Sequence, residues 1–191
     1  MLTRFATAAG LLALSTGLAL AQAPTTPATP TPTAVADKDA KEFKVALVAK
    51  TSLTQAIATA EAKGEEKGGR AIDADFEKAG SKNPAHYAIK VVYPSGKLIE
   101  YGINADTGEL YKTENQPIER YFTRLKPADF QNAKVSLKDA IALAEQKVPG
   151  SKAYEAEVER EGKAVEYEIK VALPDREQEI KVHADGTVKN D

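Results

Sequence analysis

Apolar and polar residues alternate with period two through six short segments of this chain, and the segments fall into two sets of three. In the second set Tyr154, Ala156 and Val158 point one way, and Glu155, Glu157 and Glu159 the other. Tyr167, Ile169 and Val171 continue the apolar side, and Ile180, Val182 and Ala184 complete it. The first set carries Ile72, Ala74, Phe76; Tyr87, Ile89, Val91; and Ile99, Tyr101, Ile103 at matching places. Such alternation predicts strands with one oily and one wetted face, and an oily sheet face needs a cover. A stretch with apolar residues at helical spacing precedes each set: Leu53, Ala56, Ile57, Ala60 and Leu137, Ala140, Ile141, Ala144. Ser52 and Ser136 stand where an N-cap hydroxyl would accept from first-turn amides. Asp139 adds negative charge at the positive end of the helix dipole.

The order helix, strand, strand, strand therefore occurs twice, and the wording recurs with it. "TSLTQAIATAEA" (51–62) answers "VSLKDAIALAEQ" (135–146), "AIDADFEK" answers "AYEAEVER", "HYAIKVV" answers "EYEIKVA", and "IEYGINADTGEL" answers "EIKVHADGTV". The chain is an internal duplication. The predicted fold is α+β: two tandem units, each a helix packed on a three-stranded antiparallel sheet. The first unit, with a helical segment before it, spans 38–115, and the second spans 135–191. Between them 116–134 carries Ile118, Tyr121, Phe122 and Leu125 at helical spacing up to Pro127, which predicts a short packed helix. The stretch 41–50 reads as its counterpart before the first unit. The first strands, 71–78 and 153–160, are well charged, as natural edge strands are. Either they stay free for a partner strand or outward-face docking, or the two copies cover each other's edges.

The N-terminus changes this picture. Arg4, the Ala/Leu-rich run from Phe5 to Leu20 and the small residues Ala19 and Ala21 read as a secretory signal, 1–21, cleaved after Ala21. Residues 22–37 form a Pro/Thr/Ala-rich tract whose composition cannot bury enough surface to order it, so a disordered linker is expected. The expected location is periplasmic or secreted, with no membrane span after signal cleavage. There is no cysteine, which removes disulfides, thiol nucleophiles and Cys-based metal sites. A formal net charge of -2 offers nothing to nucleic acid.

The "SL..AI..AE" helix, the "YEIKV" strand and the "NADTGEL" ending resemble the PepSY domain family, twice, over about residues 51–114 and 135–189. The second copy departs by reading "HADGTV" with a shortened turn. The resemblance implies a non-enzymatic envelope protein that binds, regulates or inhibits a peptidase or another envelope protein. It supplies no catalytic residues.

The residues themselves offer little chemistry. "DTG" at 106–108 is the string of aspartic peptidases, but that reaction needs two aspartates sharing a proton. The second copy has Asp185-Gly186-Thr187 instead, and both places suit turns in which Asp caps backbone and Gly takes a positive φ. The two histidines, His86 and His183, align with Glu166 and Asn104 of the opposite copies. Neither has metal-ligand spacing, so both read as solvated strand residues. No nucleophile elbow or phosphate loop is present. The many strand carboxylates lack, on sequence grounds, an apolar pocket to raise a pKa. No catalytic, cofactor or metal residues are therefore expected. Glu155, Glu157, Glu159, Glu166, Glu168 and Glu179 gather on one sheet face, offset in part by Lys170 and Lys181. They form a candidate surface for a basic partner, or, alternatively, for a divalent cation or a structural role.

Overall fold

The computed structural model describes residues 41–122, 125, 129 and 133–189. The stretch 1–21 read as a signal, the tract at 22–37 and Pro127 lie outside the described residues, and the side chains of Tyr121 and Phe122 do too.

The repeated patterns form the elements they predict. After a short helix α1 (Glu42–Val48), the first copy runs α2 (Leu53–Ala62), β1 (Arg70–Glu77), β2 (His86–Val92) and β3 (Leu98–Asn104). A further strand β4 (Leu110–Asn115) and helix α3 (Pro117–Phe122) lead to the second copy. That copy is α4 (Leu137–Lys147), β5 (Lys152–Glu161), β6 (Ala164–Ala172) and β7 (Glu177–His183). Both repeat helices begin with a reciprocal cap. Ser52 Oγ accepts from the Gln55 amide at 3.2 Å while Gln55 Oε1 accepts from the Ser52 amide at 2.9 Å. Ser136 and Asp139 do the same at 3.2 and 2.9 Å. Each reciprocal pair satisfies two amides that the helix leaves open.

The two expected three-stranded sheets are in fact one. All seven strands join in the order β4-β3-β2-β1-β5-β6-β7, every neighbour antiparallel. Two things produce the difference. "LYKTEN" pairs with β3 as an outer strand, and its mostly exposed residues show none of the apolar alternation that marks a half-buried strand. The charged strands β1 and β5, candidates for free edges, pair with each other through Asp73↔Glu157, Ala74↔Ala156 and Asp75↔Glu155. Unpaired backbone groups at an edge are satisfied by another strand, and here the second copy supplies it. Ala74 and Ala156 are equivalent in the two copies, so a pseudo-two-fold axis runs between them.

One face of this sheet is filled. α2 lies over β1, β2 and β3, and α4 over β5, β6 and β7. Ile57, Ile89, Ile103, Ile141, Ile169 and Val171 are fully buried in a core continuous across both copies. In each copy a buried tyrosine of the middle strand donates to the carbonyl that precedes the helix. Tyr87 Oη reaches Thr51 O at 2.8 Å, and Tyr167 Oη reaches Val135 O at 2.5 Å. The copies also interlock: α1 packs on β5 and β6 of the other copy, burying Phe43 and Ala46. Lys152 donates to the Ala49 carbonyl, and Lys138 joins Glu61 at 2.6 Å between α4 and α2.

α1 and α3 are not counterparts. α1 sits on the filled face, whereas α3 stands by the open face, with Glu119 2.7 Å from Lys90 of β2. Of the expected apolar stripe, Leu125 is buried but Ile118 is 77% exposed, because α3 meets the sheet through its charged side.

Candidate partner-binding face

Period-two alternation sends every second residue of each strand to the face opposite the helices, and strand register lines these residues up in rows. One row reads Glu114, Glu100, Lys90, Asp73, Glu157, Glu168, Lys181 from β4 to β7. The next reads Lys112, Gly102, Ala88, Asp75, Glu155, Lys170, Glu179. A third, on the second copy, holds Glu159, Glu166 and His183. All six glutamates expected on one face do share it. Glu157, Glu159 and Glu179 are exposed, Glu155 and Glu168 half-buried, and Glu166 buried, against the expectation of a solvated face.

Lysines neutralise parts of the rows. Lys90 lies 2.8 Å from Asp73, Lys170 2.7 Å from Glu155, and Lys112 2.7 Å from Glu114 and 3.3 Å from Glu100. Lys181 pairs with Glu168. Burial alone would make Lys90 easier to deprotonate, but hydrogen bonds to Asp73 and Glu119 outweigh it and raise its pKa.

Where the copies meet, acid faces acid. Burial, then the charge of Asp73 and a hydrogen bond to it, then Glu155, push Asp75 up to about 8. Asp73 Oδ1 is buried without a hydrogen-bond donor among the ordinary groups around it. Glu157 is raised as well, by partial burial first and then by Asp73, Glu159 and Glu168. The sheet itself thus provides the desolvation that the sequence did not reveal. Asp73 and Asp75 were visible as outward residues of an alternating strand. What made them a cluster with Glu155 and Glu157 was the β1–β5 pairing.

The histidines also differ from expectation. His86 is buried, not solvated: Nδ1 is 2.9 Å from the Pro84 carbonyl, Nε2 3.3 Å from Glu77 Oε2, and the Tyr111 ring packs edge-on at 5.1 Å. His183 is half-buried, 3.1 Å from Glu166 Oε2 and 3.6 Å from Glu161 Oε2. The "DTG" segment is a turn. Asn104 Oδ1 accepts from the Asp106 and Thr107 amides at 2.8 and 3.0 Å, and Gly108 takes φ 72°. Asp185 plays the capping part in the second copy, accepting from Thr187 at 2.9 Å, and that hydrogen bond lowers its pKa. Asp106 and Asp185 follow β3 and β7, strands separated by β2, β1, β5 and β6. They cannot form a dyad.

Fold and face together define a duplicated α+β protein with one filled sheet face and one charged open face. The family model described as PepSY, peptidase propeptide and YPEB domain, matches residues 50–114 and 134–185, more than half of the chain, and the chain belongs to that family. No curated protein matches the sequence. Among solved structures, a candidate lipoprotein from Clostridium difficile 630 is similar at 21% identity, over 65% of this chain and 82% of its own, with a TM-score of 0.38. At that score the likeness bears on neither fold nor function here. Among the described residues no helix is long and apolar enough to cross a membrane.

Proposed function

We propose that this chain is an exported, non-catalytic PepSY protein whose open sheet face, on the second copy, docks a peptidase or another envelope protein and restrains it. The observation that carries this reading is the set of exposed carboxylates, Glu157, Glu159 and Glu179, spread over three rows of the face away from the helices. A charged face suits a protein surface of opposite charge, since complementary potentials steer encounter and fix register. Family membership supports the peptidase as the partner class. The apolar face is occupied by α2 and α4, so a partner meets the charged side or the outer strands β4 and β7. The signal sequence read at 1–21 supports export.

The test is cross-linking of the tagged protein in a periplasmic or secreted fraction, with mass spectrometry of the captured protein and an assay of its peptidase activity. Capture of a peptidase whose activity falls on binding is expected with the wild-type chain. The variant Glu157→Lys/Glu159→Lys should capture much less. Equal capture by that variant would remove the face from the proposal. Capture without any change in activity would remove the restraint.

A further inference from the structure

The end of the open face near the β5–β6 hairpin holds an arrangement that uses none of Glu157, Glu159 and Glu179. Glu161 ends β5, Glu166 lies near the start of β6, and His183 ends β7, so the β5–β6 hairpin and the β6–β7 pairing bring all three together. One ligand atom from each lies within 4.8 Å of the others. His183 Nδ1 is 3.1 Å from Glu166 Oε2 and 3.6 Å from Glu161 Oε2. Ligands about 2.0–2.1 Å from a tetrahedral zinc ion stand about 3.3 Å apart, and these two distances bracket that edge.

The second observation concerns Glu166. Its side chain is only 7% exposed, and its Oε2 atom is buried without a hydrogen bond. A buried carboxylate oxygen normally has such a partner. Nearness to His183 does not supply one, because the contact lacks hydrogen-bond alignment. The nearest ammonium groups stand off as well: Lys189 at 3.7 Å from Oε2 and Lys181 at 3.9 Å from Oε1. The first copy shows the contrast. At the place equivalent to Glu166 it has His86, whose Nδ1 already has the Pro84 carbonyl as a hydrogen-bond partner at 2.9 Å.

We infer that Glu161, Glu166 and His183 form a binding site for a divalent transition-metal ion of the zinc class. Two carboxylates and an imidazole supply three ligands and leave a fourth position for water. The imidazole selects this class over calcium or magnesium, which take oxygen donors. Lys189 is 45% exposed and can swing into solvent when the ion arrives. This site is separate from the docking proposal and stands or falls without it.

Isothermal titration of the purified chain with zinc chloride tests it, supported by the visible absorption of bound cobalt(II). One saturable equivalent is expected, with a rise in melting temperature and a cobalt band of low-coordinate type. Glu166→Gln and His183→Gln should abolish the saturable phase. Lys189→Ala, which removes the competing ammonium, should tighten binding. His183 is half-buried at the end of a strand, so its variant keeps the test alive should Glu166→Gln fail to fold. Absence of saturable uptake by the wild-type chain would overturn the inference. Undiminished uptake by His183→Gln, or calcium binding as tight as zinc, would overturn it too.

Discussion

Replacing Asp75 by asparagine should make this protein more stable at alkaline pH and flatten its pH dependence. Asp75 stands where β1 meets β5, and burial with Asp73 and Glu155 beside it lifts its pKa from an ordinary 3.8 to about 8. Below about pH 4 the carboxyl is protonated in both folded and unfolded chains and contributes no pH dependence. Between there and about 8 the unfolded chain has released the proton while the folded chain keeps it. The unfolded state then binds fewer protons, so stability falls as pH rises. Above about 8 the loss is complete. At 1.36 kcal/mol per unit, a shift of that size gives at most about 5–6 kcal/mol. Partial solvent access and local relaxation reduce this, and we expect ~2 kcal/mol across the window. Glu42 and Glu157, both raised by burial first, act in the same direction. Asp139 is lowered by its hydrogen bonds to Ser136, so its contribution is lost only in more acid solution. The asparagine amide donates to Asp73 at every pH, as the protonated acid does at low pH. Urea titrations at about pH 5 and about pH 9 decide the matter. The wild type should lose stability between them, and Asp75→Asn should lose distinctly less. A wild type at least as stable at the higher pH, or a variant whose profile runs parallel to it, would refute the reasoning.

Three further outcomes follow from the packing. Tyr87→Phe leaves a buried carbonyl without its donor and should cost ~1–3 kcal/mol in urea unfolding, and Tyr167→Phe, whose acceptor is only part-buried, should cost less, ~0.5–1.5 kcal/mol. The two sites share no partner, so the double variant should show the sum. Ile57→Ala and Ile141→Ala empty equivalent fully buried places under α2 and α4 and should each cost ~2–5 kcal/mol. Because the core is continuous, either one should shift a single unfolding transition, and two separate calorimetric transitions would contradict the one-sheet fold. Glu157→Lys sets a cation opposite Asp73 and Glu168 and should stabilise by ~0.2–1 kcal/mol at neutral pH. That makes it a folded probe of the docking face.

What could be read beforehand was local. The period-two and helical patterns placed α2, α4 and the six strands of the two meanders, because burial of one face imposes alternation on each strand separately. The Ser52 and Ser136 caps were legible for the same reason: a cap acts over three residues. The pairing of β1 with β5 was not legible, since backbone hydrogen bonds between distant strands leave no mark on side-chain alternation. The charge on β1 suggested an edge, yet the same charge sits comfortably on the open face of an interior strand. β4 was missed because its residues bury little, and the packing of α1 on β5 and β6 was not legible because its apolar residues say that it packs, not on what. His86 shows the same limit. A histidine at an outward position looks solvated until Pro84, Glu77 and the Tyr111 ring are seen closing over it.

The acid cluster at the centre follows from the duplication. About the axis between Ala74 and Ala156, each outward residue of β1 must face the equivalent of its own neighbour. Asp73 corresponds to Glu155 and Asp75 to Glu157, so the pairing Asp73↔Glu157 and Asp75↔Glu155 sets each acid against the other copy's acid. Any strand with acids at both outward places would meet its copy in this way. Each copy relieves one of its two carboxylates with its own lysine, at equivalent places: Lys90 on Asp73 at 2.8 Å and Lys170 on Glu155 at 2.7 Å. The carboxylates left over, Asp75 and Glu157, are also equivalent, and both are the ones pushed toward the protonated form. They diverge only in surroundings. Glu157 reaches solvent, while Asp75 is half-buried on the side where α3 stands by the open face. A symmetric arrangement of charges has thus become an asymmetric pair, with the proton held on the first copy and the exposed charge offered by the second.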